Sequence, residues 1–188
     1  MAVVCAVALT LLLAIAGSRA RAGDVPEPPG LWTGAMHGET PATLSGATVV
    51  DLAGVEALLP EHPLFLDVGP APHKPEGLPT GRLWLPTHRS IPGAVWMPNA
   101  GLAPLEAGRE ARFIRRIAEL SKGDKTRPIV VFCQPACWGS WNAGKRLVGE
   151  GYTRVHWFPA GINGWQDLHD TAEVKPDAVW SGDGRMAD

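Results

Sequence analysis

Strand-like and helix-like segments alternate through the middle of this chain. Short apolar runs predict buried strands, whereas apolar residues at helical spacing predict helices with one buried side. The predicted strands lie near 48–50, 64–68, 94–98, 128–133 and 154–158, and the predicted helices lie within 51–59, 104–125 and 140–151. Asp51 is predicted to cap the first helix. Because strands alternate with helices, we predict an α/β fold with a parallel central sheet and helices on both faces.

The N-terminal residues do not follow this pattern. Residues 2–16 are almost entirely apolar, and "ARA" at 20–22 offers small residues to a signal peptidase. We therefore predict that residues 1–22 are a signal peptide cleaved after Ala22, which exports the protein. The apolar run is short for a membrane helix, so no stable membrane span is expected after signal removal. An uncleaved anchor is the alternative, because no Lys or Arg precedes the run.

The remaining chain is predicted to form one domain with an extension at each end. Residues 23–47 are rich in Gly, Pro and Thr, which predicts an N-terminal arm with little regular structure. The domain is expected at 48–175, and residues 176–188 are expected to form an irregular C-terminal tail. A proline-rich loop near 69–93 is long enough to suggest a functional role.

Charge and cysteine content narrow the class of protein. The chain has 17 Lys and Arg against 19 Asp and Glu, a net charge of −2, and no basic stripe, so nucleic acid is not an expected partner. Of its 3 cysteines, Cys5 lies in the predicted signal peptide. Cys133 and Cys137 remain, in an exported setting that permits disulfides. Two cysteines so close together are expected to act locally.

The stretch "VVFCQPACWGSWNAGKRL" at 130–147 holds the candidate chemistry. Cys133 ends a predicted strand and a helix follows, so unpaired helix amides and the helix dipole are expected to favour its thiolate. The alternative is a buried apolar cysteine that ends a strand. Asp67 ends another strand of the predicted sheet, where ligands bind in folds of this kind. It is expected either to orient a substrate or loop amides, or to be an ordinary turn carboxylate.

Several stretches of residues 48–168 resemble the rhodanese-like domain family. They are "LFLDV", "IPGAVWMP" and "PIVVFC", followed by "NAGKRLVGEGYTRVHWFPAGINGW". The most specific part is the spacing from Cys133 through Leu147, Gly151, Tyr152, Val155 and Gly161 to Trp165. The resemblance implies a rhodanese-like α/β domain. It also implies that Cys133 accepts a sulfane sulfur from thiosulfate or a similar donor, with the loop amides cradling the substrate.

The run "CQPACW" with "SWNA" after it is similar to one exported branch of that family. The branch is known by a cysteine pair followed by tryptophan, and its members are found with alcohol oxidation that depends on pyrroloquinoline quinone. This resemblance implies a periplasmic protein, with a quinoprotein dehydrogenase or a cytochrome c as a possible partner. The expected small-molecule partner is a sulfur-containing substrate or a thiol, and no metal or other cofactor is expected.

The loop departs from the usual family pattern in ways that disfavour simple thiosulfate chemistry. "QPACWGS" contains no Lys or Arg to hold an anionic donor, and Pro135 has no amide hydrogen. Ser90 also stands where the family often has histidine. Arg82 or Arg89 from the long loop would have to supply the cation. The candidate substrate-binding residues are Gln134, Ala136, Trp138, Gly139, Ser140, Asp67 and Arg89.

The second cysteine adds further alternatives. Cys137 is predicted to resolve a persulfide or mixed disulfide on Cys133, or to form with it a disulfide that exchanges with a thiol partner. The alternative function is a non-catalytic binding or maturation module for a quinoprotein dehydrogenase, in which the two cysteines form a structural disulfide. A metal site would need two more ligands, and His156 and His169 are the nearby candidates. Haem attachment is disfavoured because no histidine follows Cys137 directly.

Overall fold

The computed structural model describes residues 25–77, 79–80, 82 and 87–182. Its strands are β1 (Thr48–Val49), β2 (Leu64–Asp67), β3 (His88–Ser90), β4 (Val95–Trp96), β5 (Ile129–Phe132), β6 (Val155–Phe158) and β7 (Ala172–Val174). Five of them form a parallel sheet in the order β1-β6-β5-β2-β4, while β3 and β7 form a separate antiparallel pair. The prediction of a parallel central sheet is confirmed. The predicted signal peptide lies outside the described residues.

Helices cover both faces of the parallel sheet, as predicted. They are α1 (Leu52–Leu58), α2 (Arg109–Ser121), α3 (Trp138–Gly149), α4 (Gly161–Gln166) and α5 (Ala178–Ser181), with a 3-10 turn at Leu59–Glu61. The Asp51 carboxylate accepts a hydrogen bond of 2.9 Å from the Gly54 amide, so the predicted N-cap of α1 is confirmed. Among the described residues, no helix is both long and apolar enough to cross a membrane.

The sheet separates two apolar clusters, because its central strands are buried on both sides. The larger cluster joins α2, α3 and α5 to one face, with Phe113, Trp141 and Trp180 at its centre. The smaller cluster joins α1 and α4 to the opposite face around Phe132 and Trp165. β5 is the middle strand, so its carboxyl end lies at the centre of one edge of the sheet.

Two features of the fold are absent from the sequence prediction. The β3–β7 pair lies partly in the segment predicted to be a loop, and its strands are short. The predicted irregular tail contains α5, which is held by the fully buried Trp180 and its edge-on contact with Phe113. The Asp177 carboxylate caps α5 and binds the Arg116 guanidinium. A single anchoring tryptophan produces no periodic pattern, so the sequence analysis could not detect this helix.

His156 in β6 gives the folded protein a specific pH dependence. Neither of its ring nitrogens has a hydrogen-bond partner among the described residues. Burial lowers the pKa of His156 below its ordinary 6.5, Arg154 lowers it further, and Glu61 opposes the shift. The unfolded chain therefore binds this proton more readily than the folded protein. The contribution of His156 to the free energy of unfolding is therefore present above pH 6.5 and is lost as the pH falls below that value.

We expect His156→Phe to weaken the loss of stability on acidification. Phenylalanine fills a similar volume and cannot be protonated, so the other titrating groups remain and this contribution disappears. The measurement is urea unfolding of both proteins at about pH 7 and about pH 5. An equal loss of unfolding free energy in the two proteins over this interval would contradict the assignment.

Candidate active site at the cysteine loop

Cys133 and Cys137 form a disulfide across the loop between β5 and α3. Their Cα atoms are 6.4 Å apart, within the range that a disulfide spans. Cys133 directly follows the middle strand, and Cys137 is the N-cap residue of α3. The chain turns back between them through Ala136, which has a φ of 55°. The two cysteines are therefore close enough for the disulfide that the sequence predicts as one alternative.

The two cysteines differ in what surrounds them. Cys133 is 2% exposed and Cys137 is 9% exposed. The Cys133 carbonyl accepts a hydrogen bond of 2.9 Å from the Ile162 amide, and Gly161 lies against it where a side chain would overlap. Cys137 instead lines a cavity of about 140 Å³ that opens at the protein surface. Its position at the start of a long helix also favours a thiolate on Cys137 when the pair is reduced.

The N-terminal arm forms one wall of this cavity. Met36 and His37 line it together with Gln134 of the loop and Gly139 of α3. His37 pairs with Cys137 in an isolated antiparallel bridge. The arm is therefore part of the cysteine site.

Main-chain hydrogen bonds from the arm occupy part of the loop. The Gly38 amide donates to the Ala136 carbonyl at 2.9 Å, and the Trp138 amide donates to the Met36 carbonyl at 2.9 Å. The Trp138 amide is the first of α3, one of the donors that a helix leaves unpaired for a ligand. In this protein a carbonyl oxygen of the same chain uses that donor. A substrate anion would have to displace the arm to reach it.

Asn142 fastens the arm to α3. This fully buried side chain accepts a 2.8 Å hydrogen bond from the Trp32 amide and donates to the Trp32 carbonyl at 2.9 Å. It also donates to the Gly101 carbonyl at 2.9 Å. The Trp32 ring stacks on Trp138 with 4.3 Å between ring centroids. Trp138 is thus covered by the arm, and its face is not presented to a ligand.

The segment that completes the cavity is held by a buried arginine. The Arg146 guanidinium donates to the Ala100 carbonyl at 3.3 Å and the Leu102 carbonyl at 2.7 Å. Burial lowers the pKa of Arg146, while its partner Glu110 opposes the shift. Gly101, between the two carbonyls, touches Gly139 of α3 backbone to backbone. Arg146 therefore supports one wall of the cavity from beneath and does not enter it.

We expect Gly101→Ala to destabilise the protein by about 2 kcal/mol or more. A β-carbon at Gly101 would overlap the Gly139 carbonyl, so backbone rather than a flexible side chain would have to move. Gly149→Ala is the matched control, because nothing lies within 4 Å of its added carbon. The control should change stability by no more than about 1 kcal/mol. Denaturant unfolding measures both, and equal effects would show that the close approach is not needed.

Asp67 lies on the opposite face of the sheet from the cysteine cavity. It pairs in register with Phe132, whose side chain belongs to the smaller cluster, whereas Cys133 belongs to the larger one. Its carboxylate accepts hydrogen bonds from Ser90 Oγ at 2.6 Å and the Gly69 amide at 2.8 Å, and lies 2.8 Å from a His88 ring nitrogen. These contacts fix the start of the long loop. They match the turn-carboxylate alternative of the sequence analysis.

Neither predicted loop arginine is placed at the cysteines. The Arg89 guanidinium donates to the Thr171 hydroxyl at 2.7 Å and to the Thr171 carbonyl, which joins β3 to the chain before β7. Arg82 hydrogen-bonds through its amide to the Pro79 carbonyl. Among the described residues, no Lys or Arg side chain lines the cavity beside Cys137.

The other predicted substrate-binding residues divide into two groups. Gln134 and Gly139 line the cavity, and Ala136 is exposed beside it. Ser140 is buried, donates from its hydroxyl to the Cys137 carbonyl at 3.1 Å and accepts from the Trp157 indole at 3.0 Å. Ser140 therefore supports the loop from the protein interior.

Met36 and His37 of the cavity wall were not predicted from the sequence, because an arm without periodicity gives no sign of where it docks.

Metal ligands are not gathered in the described part of the chain. No three His, Cys, Asp or Glu side chains there are placed to share an ion. His169 lies 2.7 Å from a Glu56 carboxylate oxygen and stacks on Trp165, and His156 lies in β6. The two histidines considered as ligands for the cysteines are thus engaged elsewhere or buried in another strand.

The fold and the loop together define an α/β domain with a cysteine at the carboxyl end of its middle strand. The family model described as "Rhodanese-like domain" matches residues 56–168, more than half of the chain. The chain therefore belongs to the rhodanese-like domain family. This confirms the family resemblance and the fold predicted from the sequence. The match does not distinguish the quinoprotein-associated branch.

Solved structures provide a more distant comparison. An uncharacterized protein from Saccharomyces cerevisiae is 16% identical with a TM-score of 0.39, over 64% of this chain and 91% of that chain. The polysulfide-sulfur transferase homodimer of Wolinella succinogenes is 20% identical with a TM-score of 0.38, over 66% of this chain and 76% of that chain. No curated protein matches the chain.

Proposed function

We propose that this chain is a two-cysteine member of its family that exchanges sulfane sulfur or disulfide bonds with a thiol partner. The observation that carries the proposal is the disulfide at the end of the middle strand, with Cys137 lining an open cavity. A purely structural bond would not need that opening. Cys137 is the sulfur that a partner reaches first, and Cys133 is the buried partner that closes or opens the bond.

Two features favour a thiol or persulfide over thiosulfate. The Trp138 amide is bound by the Met36 carbonyl, and no Lys or Arg lines the cavity among the described residues. A dianionic donor would meet apolar walls and an occupied donor, whereas a thiol or persulfide carries less charge at its reacting sulfur. The proposed substrate is therefore a low-molecular-weight thiol, its persulfide, or a cysteine of a partner protein.

The proposed sulfur reaction starts from the reduced pair. The Cys137 thiolate attacks the outer sulfur of a persulfide, the sulfur–sulfur bond of the donor breaks, and the donor leaves as a thiol. The Cys133 thiolate then attacks Cys137 Sγ, forms the disulfide and expels the transferred sulfur as sulfide. The sulfane sulfur is reduced and the two cysteines are oxidised. Two molecules of a thiol reduce the disulfide again and leave as their own disulfide, which closes the cycle.

We further propose a periplasmic location and an accessory role in alcohol oxidation that depends on pyrroloquinoline quinone. The apolar segment before Ala22 and the similarity of "CQPACW" to the exported branch support this part. A quinoprotein dehydrogenase or a cytochrome c would then be the physiological partner. Fractionation of cells tests the location, because a mature chain that begins at Gly23 should appear only in the periplasmic fraction. Retention of an uncleaved chain in the membrane would contradict it.

Intact-mass analysis of the reduced protein tests the reaction. Treatment of Cys133→Ser with a glutathione persulfide should add one sulfur atom to Cys137. Treatment of the native protein should release one sulfide for each disulfide formed. Thiosulfate should do neither at the same concentration. Faster loading by thiosulfate would support the anion cradle instead, and no reaction with either donor would remove sulfur transfer from the proposal. The variant lacking both cysteines is the control.

A further inference from the structure

We infer that the thiol substrate that reacts with Cys137 carries a carboxylate, which Arg109 binds in the cavity next to the one beside Cys137. The inference rests on the proposed function and names the substrate class of the same site. The cavity beside Cys137 is lined by Asn99 and Leu102, and a second cavity of about 160 Å³ is lined by the same two residues. Asn99 and Leu102 therefore border both cavities, and a ligand that used both would have to extend across these two residues. Arg109 lines the second cavity.

Each cavity is smaller than the roughly 300–1,000 Å³ of a typical ligand pocket, so a ligand of that size would have to occupy both. Pro104 and Leu105 give the second cavity apolar walls, as Val68 and Pro70 do for the first. A ligand with its sulfur at Cys137 and a charged group at Arg109 would place its middle part along these walls.

The position and charge of the Arg109 guanidinium suit the binding of an anion. Its guanidinium lies 4.1 Å from the ring centroid of the buried Trp180, which fixes the position of the charge. It forms no ion pair with a carboxylate among the described residues. Arg109 is also the first residue of α2, whose N-terminus has no side-chain cap, so the helix adds partial positive charge. A planar guanidinium suits a carboxylate because it offers two parallel donors.

Glu106 lines the same cavity as Arg109 and restricts the ligand further. A second negative charge on the ligand near this exposed carboxylate would be repelled, whereas an ammonium group beside the bound carboxylate would be attracted. An amino-acid end satisfies both groups. The inferred substrate class is therefore a cysteine-containing small thiol or short peptide thiol with a free amino-acid end, in its thiol or persulfide form.

The reductive step of the cycle is the reaction that tests this inference. The ligand thiolate attacks Cys137 Sγ, the bond to Cys133 breaks, and Cys133 leaves as a thiolate. A second thiolate then attacks the ligand sulfur of the mixed disulfide, so that two ligand thiols are oxidised and the protein disulfide is reduced. Binding of the carboxylate by Arg109 raises the rate of the first attack because it holds the sulfur near Cys137.

The experiment compares glutathione with its diethyl ester as reductants of the folded, oxidised protein. The two probes share the same thiol and body, but the ester has no carboxylate. Rates are divided by each probe's rate with a small model disulfide, which removes differences in thiol reactivity. We expect glutathione to reduce the native protein about tenfold faster than the ester after this correction. Arg109→Gln should abolish the preference, and it should also disappear at high salt.

Arg115→Gln is the matched control, because Arg115 is an exposed arginine of the same helix outside both cavities. It should keep the native preference. If both probes act equally on the native protein, or if Arg109→Gln keeps the preference, the carboxylate site is overturned while the proposed exchange reaction stands. If neither probe opens the disulfide of the folded protein, the proposed function itself fails and the inference fails with it.

Discussion

Reduced Cys133→Ser is expected to form a mixed disulfide at Cys137 at least about tenfold faster than reduced Cys137→Ser forms one at Cys133. Cys137 borders the open cavity and lies at the N-terminus of α3, which lowers the cost of forming its thiolate. Cys133 is 2% exposed and lies under the turn that begins α4. An attacking disulfide is therefore expected to reach Cys137 more readily than Cys133.

The measurement is intact mass against time after adding glutathione disulfide to each reduced variant. The two variants are matched, since each exchanges one sulfur for one oxygen and leaves a single thiol. Unfolding each variant in denaturant should make the rates equal, which separates access from intrinsic reactivity. Faster labelling of Cys133 than of Cys137 in the folded proteins would contradict the assignment. It would support the role for Cys133 that the family resemblance implies.

Asn142→Ala is expected to destabilise the protein by about 3 kcal/mol and to release the N-terminal arm. The side chain makes three buried hydrogen bonds, two with the Trp32 backbone and one with the Gly101 carbonyl. Alanine leaves these backbone groups without their partner. Since the arm covers the first amide of α3, its release should also expose the cysteine loop. Labelling of reduced Cys137 should then become faster even where the protein remains folded.

Two measurements test this prediction together. Denaturant unfolding gives the change in stability, and limited proteolysis within 25–47 reports release of the arm. Asn163→Ala is the control, because Asn163 is an exposed asparagine of α4 and should change neither. A large loss of stability without faster proteolysis of the arm would mean that Asn142 supports the core and not the arm. Unchanged stability would contradict the account of all three hydrogen bonds.

Hydrophobic patterning predicted the fold well because the central strands are buried on both faces. Runs such as "IVVF" at 129–132 therefore appear as continuous apolar segments, and α2 has a single buried side. The β3–β7 pair and α5 were not predicted, because they depend on contacts between segments distant in the chain. Trp180, for example, donates from its indole nitrogen to the Pro98 carbonyl at 2.9 Å, and no local pattern encodes that partner.

The site was also predicted only where local sequence determines it, and not where it depends on contacts between distant segments. The position of Cys133 at a strand end and of Cys137 before a helix follows from local sequence, as does their closeness. The arm over the loop does not, since Trp32 and Met36 find their partners more than a hundred residues away. Trp138, a candidate substrate-binding residue, is instead covered by Trp32 of the arm. Asp67 was placed at the correct sheet edge, but strand alternation turns its side chain to the other face.

The Cys133–Cys137 disulfide is expected to react with thiols while the protein stays folded. The rate of disulfide reduction by glutathione without denaturant, compared with the rate of global unfolding, tests this expectation. We predict reduction that is proportional to thiol concentration and far faster than unfolding, with the tertiary fold intact by near-ultraviolet circular dichroism. Reduction that stops rising with thiol concentration and equals the unfolding rate would show a structural disulfide and contradict this expectation.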